Sequence, residues 1–330
     1  MILVGVPGMN DREIESIERY IKEEVDADFQ FLGKNVLPRE ELVKKAKDAD
    51  IIITWDQKMD DELYKELNLC AFCAASTGFN VADIVAATRN GVMVTNAKDY
   101  CVDEVSGHAV MLILACSRKL AYVTENVKRG NWNIGGIGNI KRFSEATVGI
   151  FAFGSIARAV AEKLNGFGVR MISYDPYVSK DIMEEYGVEK VDFDSLLIES
   201  DYITLHAPLT DETEGIFNYD ALVTMKQSAY IINTARGRLI DQDSLYELLK
   251  DGRIAGAGLD VIQNEPPLEK DKELIKLPDV IVTPHSAYFS DKAQEMQLRI
   301  TARDVVRIIR GEIPINLRNP EVLDSEKFKK

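Results

Sequence analysis

Apolar runs of strand length alternate with amphipathic stretches along most of the chain, the pattern of an α/β layer built around a mostly parallel sheet. "ILVGVP", "FQFLG", "DIIITW", "LCAFCAAS" and "VMVTN" read as strands, with helices predicted over 11–25, 38–48, 60–67 and 81–90 between them. A helical stretch then runs from Val102 to Arg129, with Val102, Val105, Ala109, Leu112 and Cys116 forming one apolar stripe. It is longer than one sheet face needs, so it is expected to bridge domains or subunits. The polar, glycine-bearing "NWNIGGIGNIKRFSE" interrupts as a loop. A second series follows, with strands at 147–153, 169–175, 202–208, 228–235, 254–261 and 279–283. The last helix starts at Ser290, an N-cap residue, and carries Leu298, Ala302, Val305 and Ile309 on one face.

Two such series in 330 residues exceed one hydrophobic core and predict two domains. The second opens on "TVGIFAFGSIARAVAEKL", a strand, a tight turn and a helix start, where a dinucleotide fold cradles pyrophosphate. The glycine pair Gly136 and Gly138 has no following helix to aim at a phosphate and is set aside. In the turn itself Gly154 keeps the position of close backbone approach, Ala157 is small enough for helix–strand packing, and Ala152 replaces the usual first glycine. With the rest of the turn intact, Ala152 is expected to hold a negative φ. Asp175 follows Gly154 by 21 residues at the end of the next strand, the spacing of the carboxylate that holds the adenosine ribose. A carboxylate there repels a 2′-phosphate, so NAD is favoured over NADP.

The net charge of −14 opposes binding to nucleic acid or to anionic lipid, and no apolar stretch approaches membrane-spanning length. The N-terminal "MILVGVPGMN" lacks the features of a secretory signal, and a cytoplasmic location is expected. The four cysteines are too scattered for a disulfide framework. Cys70 and Cys73 share a buried-strand pattern, which favours packing over a zinc or redox site.

The chain has three histidines. His108 lies on a helix, where a structural hydrogen bond is expected. His206 and His285 both end strands, the edge at which open α/β sheets bind ligands, and either could face a cofactor. Arg236 and Glu265 end strands in the same half, although each alone also reads as a solvated surface charge.

In this order, "LHAPLTDET", "NTARGRLID", "LDVIQNEPP" and "TPHSAYFS" resemble the D-isomer-specific 2-hydroxyacid dehydrogenases. The resemblance covers nearly the whole chain, because "STGFNVADIVAATRNGVMVTNAKDYCVDEVSGHA" is similar to the family's first domain and the helix that leaves it. It is strongest to the branch of C-terminal binding protein-like dehydrogenases and corepressors. Departures are Ala152, Arg238 in place of a common second glycine, and Ile262–Gln263 where an aromatic and an acidic residue are common.

That resemblance implies a Rossmann-type NAD domain over 99–286, inserted into a flavodoxin-like substrate domain made of residues 1–98 and a returning segment 287–330. It implies a catalytic set of Arg236, Glu265 and His285. Arg236 would fork the substrate carboxylate, His285 would donate the proton, and Glu265 would raise and orient it. NADH brings the hydride, so the chemistry requires no metal. Thr77 and Gly78 would approach substrate and nicotinamide through backbone groups, and Ser155 and Ile156 would meet the pyrophosphate. His206, Ala207, Pro208, Thr213, Thr234, Ala235 and Asp260 would line the cofactor cleft. The implied activity is the interconversion of a small D-2-hydroxy acid and its 2-keto acid, by a homodimer joined through the NAD domains. The rival expectation is an NAD(H)-responsive corepressor with little or no turnover.

Overall fold

The computed structural model describes residues 2–325 and 327–328. It divides into two compact units, Met1–Tyr100 with Ser290–Lys330, and Cys101–Phe289. The first holds a five-stranded sheet of β1 (Ile2–Pro7), β2 (Ala27–Gly33), β3 (Ile51–Thr54), β4 (Ala71–Ala74) and β5 (Met93–Asn96). All pairings are parallel, in the order β2-β1-β3-β4-β5, the flavodoxin-like arrangement. β3, β4 and β5 are buried along their whole length, as strands covered on both faces by helices must be. Cys73 therefore sits in the core, where burial pushes its thiol up to about 12. Helix Asp291–Ile309 is capped by the Ser290 side chain, which accepts from Ala293 N, and packs against β4, β5 and helix Asp11–Lys22, with Leu298, Ala302 and Val305 in the core. The tail then runs along the open edge of β5. Arg318 N donates to Val94 O, and Asn319 accepts from Val94 N while donating to Val92 O.

The second unit holds seven parallel strands, β6 (Thr147–Phe151), β7 (Arg170–Tyr174), β8 (Val188–Lys190), β9 (Tyr202–Leu205), β10 (Tyr230–Asn233), β11 (Gly256–Leu259) and β12 (Val280–Val282). Their order is β12-β11-β10-β9-β6-β7-β8. This is the doubly wound Rossmann arrangement, and the order reverses between β6 and β9, which places a ligand crevice beyond their carboxyl ends. β8 escaped the sequence pattern because it is three residues long, two of them charged, at the sheet edge where such residues block further pairing.

The predicted helix over 102–129 is two helices, Val102–Ser117 and Leu120–Lys128. Lys119 takes a left-handed conformation, φ 49°, which breaks the helical hydrogen-bond pattern between them. The first helix packs Ala109, Leu112 and Cys116 of its stripe inside its own unit. Leu112 Cβ lies 3.2 Å from where a Cβ on Gly258 would stand, so this part of the stripe covers the sheet. The second helix buries no residue. Among the described residues no helix is long and apolar enough to cross a membrane.

Candidate active site

β6 feeds directly into the nucleotide turn. Gly154 caps helix Ser155–Leu164 and no side chain caps that helix, so its first-turn N–H groups face outward for an anion. Nothing lies within 4 Å of where a Cβ on Gly154 would stand, which leaves the space a pyrophosphate needs. Ala152 overturns the expectation of a negative φ: it sits at +67°, the left-handed region. Ala152 N completes the β6–β7 ladder onto Tyr174 O at 2.9 Å, the chain turns at this residue so that Phe153 N meets the Asp175 carboxylate, and the alanine methyl is strained by the positive φ. Asp175 is buried and accepts from Phe153 N and Tyr177 N, each at 2.8 Å. A carboxylate offers about four acceptor sites, so capacity for ribose hydroxyls remains.

Arg236, Glu265 and His285 leave the ends of β10, β11 and β12. Asn233, the last residue of β10, braces the Arg236 turn by accepting from Ala235 N at 3.0 Å and donating to Arg236 O at 2.8 Å. Gly237 lets the next loop approach, since a Cβ there would fall 1.9 Å from Ile262 O. The Glu265 loop is supported from beneath. Gln242 accepts from Gln263 N at 2.9 Å and donates to the buried Asp271, which also accepts from Asn264 and Leu268 N. Glu265 Oε1 accepts from Ile262 N, and its Oε2 lies 2.6 Å from His285 Nδ1. That hydrogen bond raises the His285 pKa above its ordinary value, against partial burial and the nearby Arg236 charge, which lower it. With Nδ1–H engaged by the carboxylate, Nε2 is the nitrogen left for a reacting oxygen. His285 also holds a positive φ of 51°, a strained conformation at the end of a strand.

The other strand-end residues divide between support and contact. His206 is half-buried, with Nε2 3.0 Å from Thr204 Oγ1, and desolvation pushes its pKa down to about 3, so it is neutral near pH 7 and a poor proton donor. Beside it Ala207 is buried, and Pro208 O accepts the Thr213 hydroxyl at 2.6 Å. Thr213 also accepts from Thr210 N at 2.9 Å, so its hydroxyl closes its own loop. Thr234 Oγ1, by contrast, is buried with no hydrogen-bond partner, an unsatisfied group that fits a cofactor contact. Asp260 is buried and accepts from Thr283 Oγ1 at 2.5 Å, Ser286 N at 3.0 Å and Ala287 N at 2.9 Å. It thereby fixes the segment carrying His285, with one acceptor site left over. Sequence reasoning missed Thr283. Its single proton goes to Asp260, so His108 Nε2 must supply the hydrogen of the 2.9 Å contact to Thr283.

In the first unit, Thr77 and Gly78 lie on the loop after β4. Asn96 Nδ2 donates to Thr77 O at 2.5 Å, Thr77 Oγ1 donates to Ala97 O at 3.2 Å, and Ser76 Oγ donates to Gly78 O at 2.6 Å.

Residues 110–287 match the model of the D-isomer specific 2-hydroxyacid dehydrogenase NAD-binding domain. The chain belongs to this family. It is 37% identical over 297 residues to D-3-phosphoglycerate dehydrogenase of Methanocaldococcus jannaschii, a match covering 89% of this chain but 56% of that longer relative. It is 33% identical to glyoxylate reductase of Korarchaeum cryptofilum over 95% of this chain and 94% of the relative. Among solved structures, D-lactate dehydrogenase of Aquifex aeolicus with NAD and lactic acid superposes with a TM-score of 0.86 at 27% identity, over 96% of this chain and 98% of that one. The second unit is thus an NAD-binding domain.

Proposed function

We propose that this member of the family is an NAD-dependent dehydrogenase interconverting a small D-2-hydroxy acid and its 2-keto acid. The observation that carries the reading is the 2.6 Å pairing of His285 with Glu265, beside an arginine, at the carboxyl edge of a Rossmann sheet. Arg236 offers a guanidinium fork to the substrate carboxylate and a positive field at the carbonyl. His285 Nε2 gives its proton to the carbonyl oxygen, and Glu265 holds the ring in orientation and stabilises the imidazolium. Thr77 and Gly78 add substrate contacts through their backbone. Ser155 and Ile156 take the pyrophosphate, Asp175 the ribose, and Ala207, Pro208, Thr234, Ala235 and Asp260 line the nicotinamide side. Bound NADH supplies the hydride. His206 and Thr213 shape that lining through their own hydrogen bonds.

The three relatives above are named as dehydrogenases or a reductase, so the enzyme reading is carried in preference to the corepressor. Following NADH absorbance against a panel of glyoxylate, pyruvate, 2-oxobutanoate and phosphohydroxypyruvate tests it. Turnover on any of these supports the assignment, and tight NADH binding without turnover on any of them removes it.

A cytoplasmic homodimer joined through the NAD-binding unit completes the proposal. Helix Leu120–Lys128 buries nothing, with Leu120 and Val127 each 49% exposed, and the following loop leaves Trp132 88% and Ile134 77% exposed. An uncovered apolar surface on a short helix fits a second copy.

A further inference from the structure

The loop that carries Thr77 and Gly78 is held by a residue from the far end of the chain. Arg318 donates from Nε to Asn96 Oδ1 at 2.6 Å, and its guanidinium lies 5.7 Å from the centre of the Phe79 ring. Arginine has donors only, so it must meet the amide oxygen of Asn96 and turn Nδ2 toward Thr77 O. That bond, at 2.5 Å, pins one carbonyl of the loop. Ser76 Oγ pins the next, Gly78 O, at 2.6 Å. In a trans peptide the C=O and the following N–H point in opposite directions. The only cis bond among the described residues is Glu265–Pro266, so pinning Thr77 O and Gly78 O fixes the directions of Gly78 N–H and Phe79 N–H. Among the described residues neither N–H has an acceptor, and Gly78 and Phe79 are only partly exposed.

We propose that Arg318 is a positioning residue for substrate binding: through Asn96 it aims two consecutive backbone N–H groups, those of Gly78 and Phe79, at the carboxylate of a 2-keto acid. The inference deepens the proposed function and rests on its reading of the Thr77–Gly78 loop as a substrate contact. Arg318 never touches the substrate in this arrangement. Its charge strengthens the bond to Asn96, and its guanidinium lies within cation–π range of Phe79, which holds the loop on the tail segment that edges β5.

The test uses the full-length chain with NADH and whichever keto acid of the panel turns over best. Arg318→Met keeps an unbranched apolar stem and removes the donors. It is expected to raise KM for the keto acid on the order of tenfold, with kcat within about twofold and NADH affinity unchanged, the signature of lost ground-state binding. Hydrogen exchange of a peptide spanning the loop should quicken in the same variant. Arg318→Lys, which restores a donor to Asn96, should recover most of the KM. Ser76→Ala frees the Gly78 carbonyl without touching Arg318, and should reproduce the KM rise even if Arg318→Met does not fold. An unchanged KM in folded Arg318→Met, or a fall in kcat at constant KM, overturns the positioning role while leaving the enzyme assignment standing. A wild-type chain that reduces no 2-keto acid overturns both.

Discussion

The short contact between His285 Nδ1 and Glu265 Oε2 gives the site its pH behaviour. Because the His285 pKa is raised above 6.5, the imidazolium needed for keto-acid reduction persists above that pH, and the rate should fall only as pH rises through the elevated value. The same sign holds for stability, which the pair supports below the ordinary histidine value and loses as pH climbs through the folded one. Glu265→Gln removes the charge that raises it, so the falling limb of the kcat/KM profile for reduction should move to lower pH. An unmoved limb would assign that limb to another group. His285→Ala should still bind NADH and lose about 10²–10⁴ in kcat, the contribution of a general acid. His206 is a poor replacement because desolvation keeps it neutral. Ala152 is a second residue whose backbone decides its behaviour. At φ +67° an L-residue is strained, so Ala152→Gly should raise the denaturant midpoint, by roughly 1 kcal/mol of stability. NADH affinity should stay within about threefold, since Gly154 and the uncapped helix supply the phosphate site. A lower midpoint would show that the methyl group is accommodated without strain.

Strand and helix ends carry the chemistry, and they were legible to different depths. The alternating pattern identified eleven of the twelve strands among the described residues, because short apolar runs such as "DIIITW" or "YITLHAP" fit strands of a parallel sheet covered on both faces. β8 and the break at Lys119 were not legible. A three-residue charged edge strand has no periodicity, and the left-handed Lys119 interrupts an otherwise continuous apolar stripe without a glycine or proline to mark it. The Ala152 angle was invisible for a similar reason, since alanine carries no local mark of a left-handed position. Arg318 had no local signal either, because its partners stand more than two hundred positions earlier in the chain. Asp175 was legible by spacing, but its structural task was not. Both of its oxygens hold backbone N–H groups that shape the nucleotide turn. Asp175→Ser should therefore narrow the kcat/KM preference for NADH over NADPH and also lower stability, by about 1–3 kcal/mol for the lost acceptor. A wild-type enzyme that already prefers NADPH would contradict the role given to this strand end.

At the scale of the whole molecule, the acidic balance and the apolar surface pull in opposite directions. A net charge of −14 makes two copies repel at long range, an effect that falls off within about 10 Å at 0.1 M salt. The exposed Leu120, Val127, Trp132 and Ile134 act at contact, where burying apolar area contributes about 25 cal/mol per Å². Association through this face should therefore tighten as salt screens the repulsion, the reverse of an interface held by ion pairs. Sedimentation velocity at low and moderate salt is expected to show a species near twice the 37.0 kDa chain mass, more fully populated at moderate salt. Placing like charges on the face, as in Leu120→Asp with Val127→Asp, should return the chain to 37.0 kDa without unfolding it, because neither side chain is part of a core. A wild-type chain that sediments as a monomer at micromolar concentration in both salts, or a double variant that stays dimeric, would move the contact to another surface.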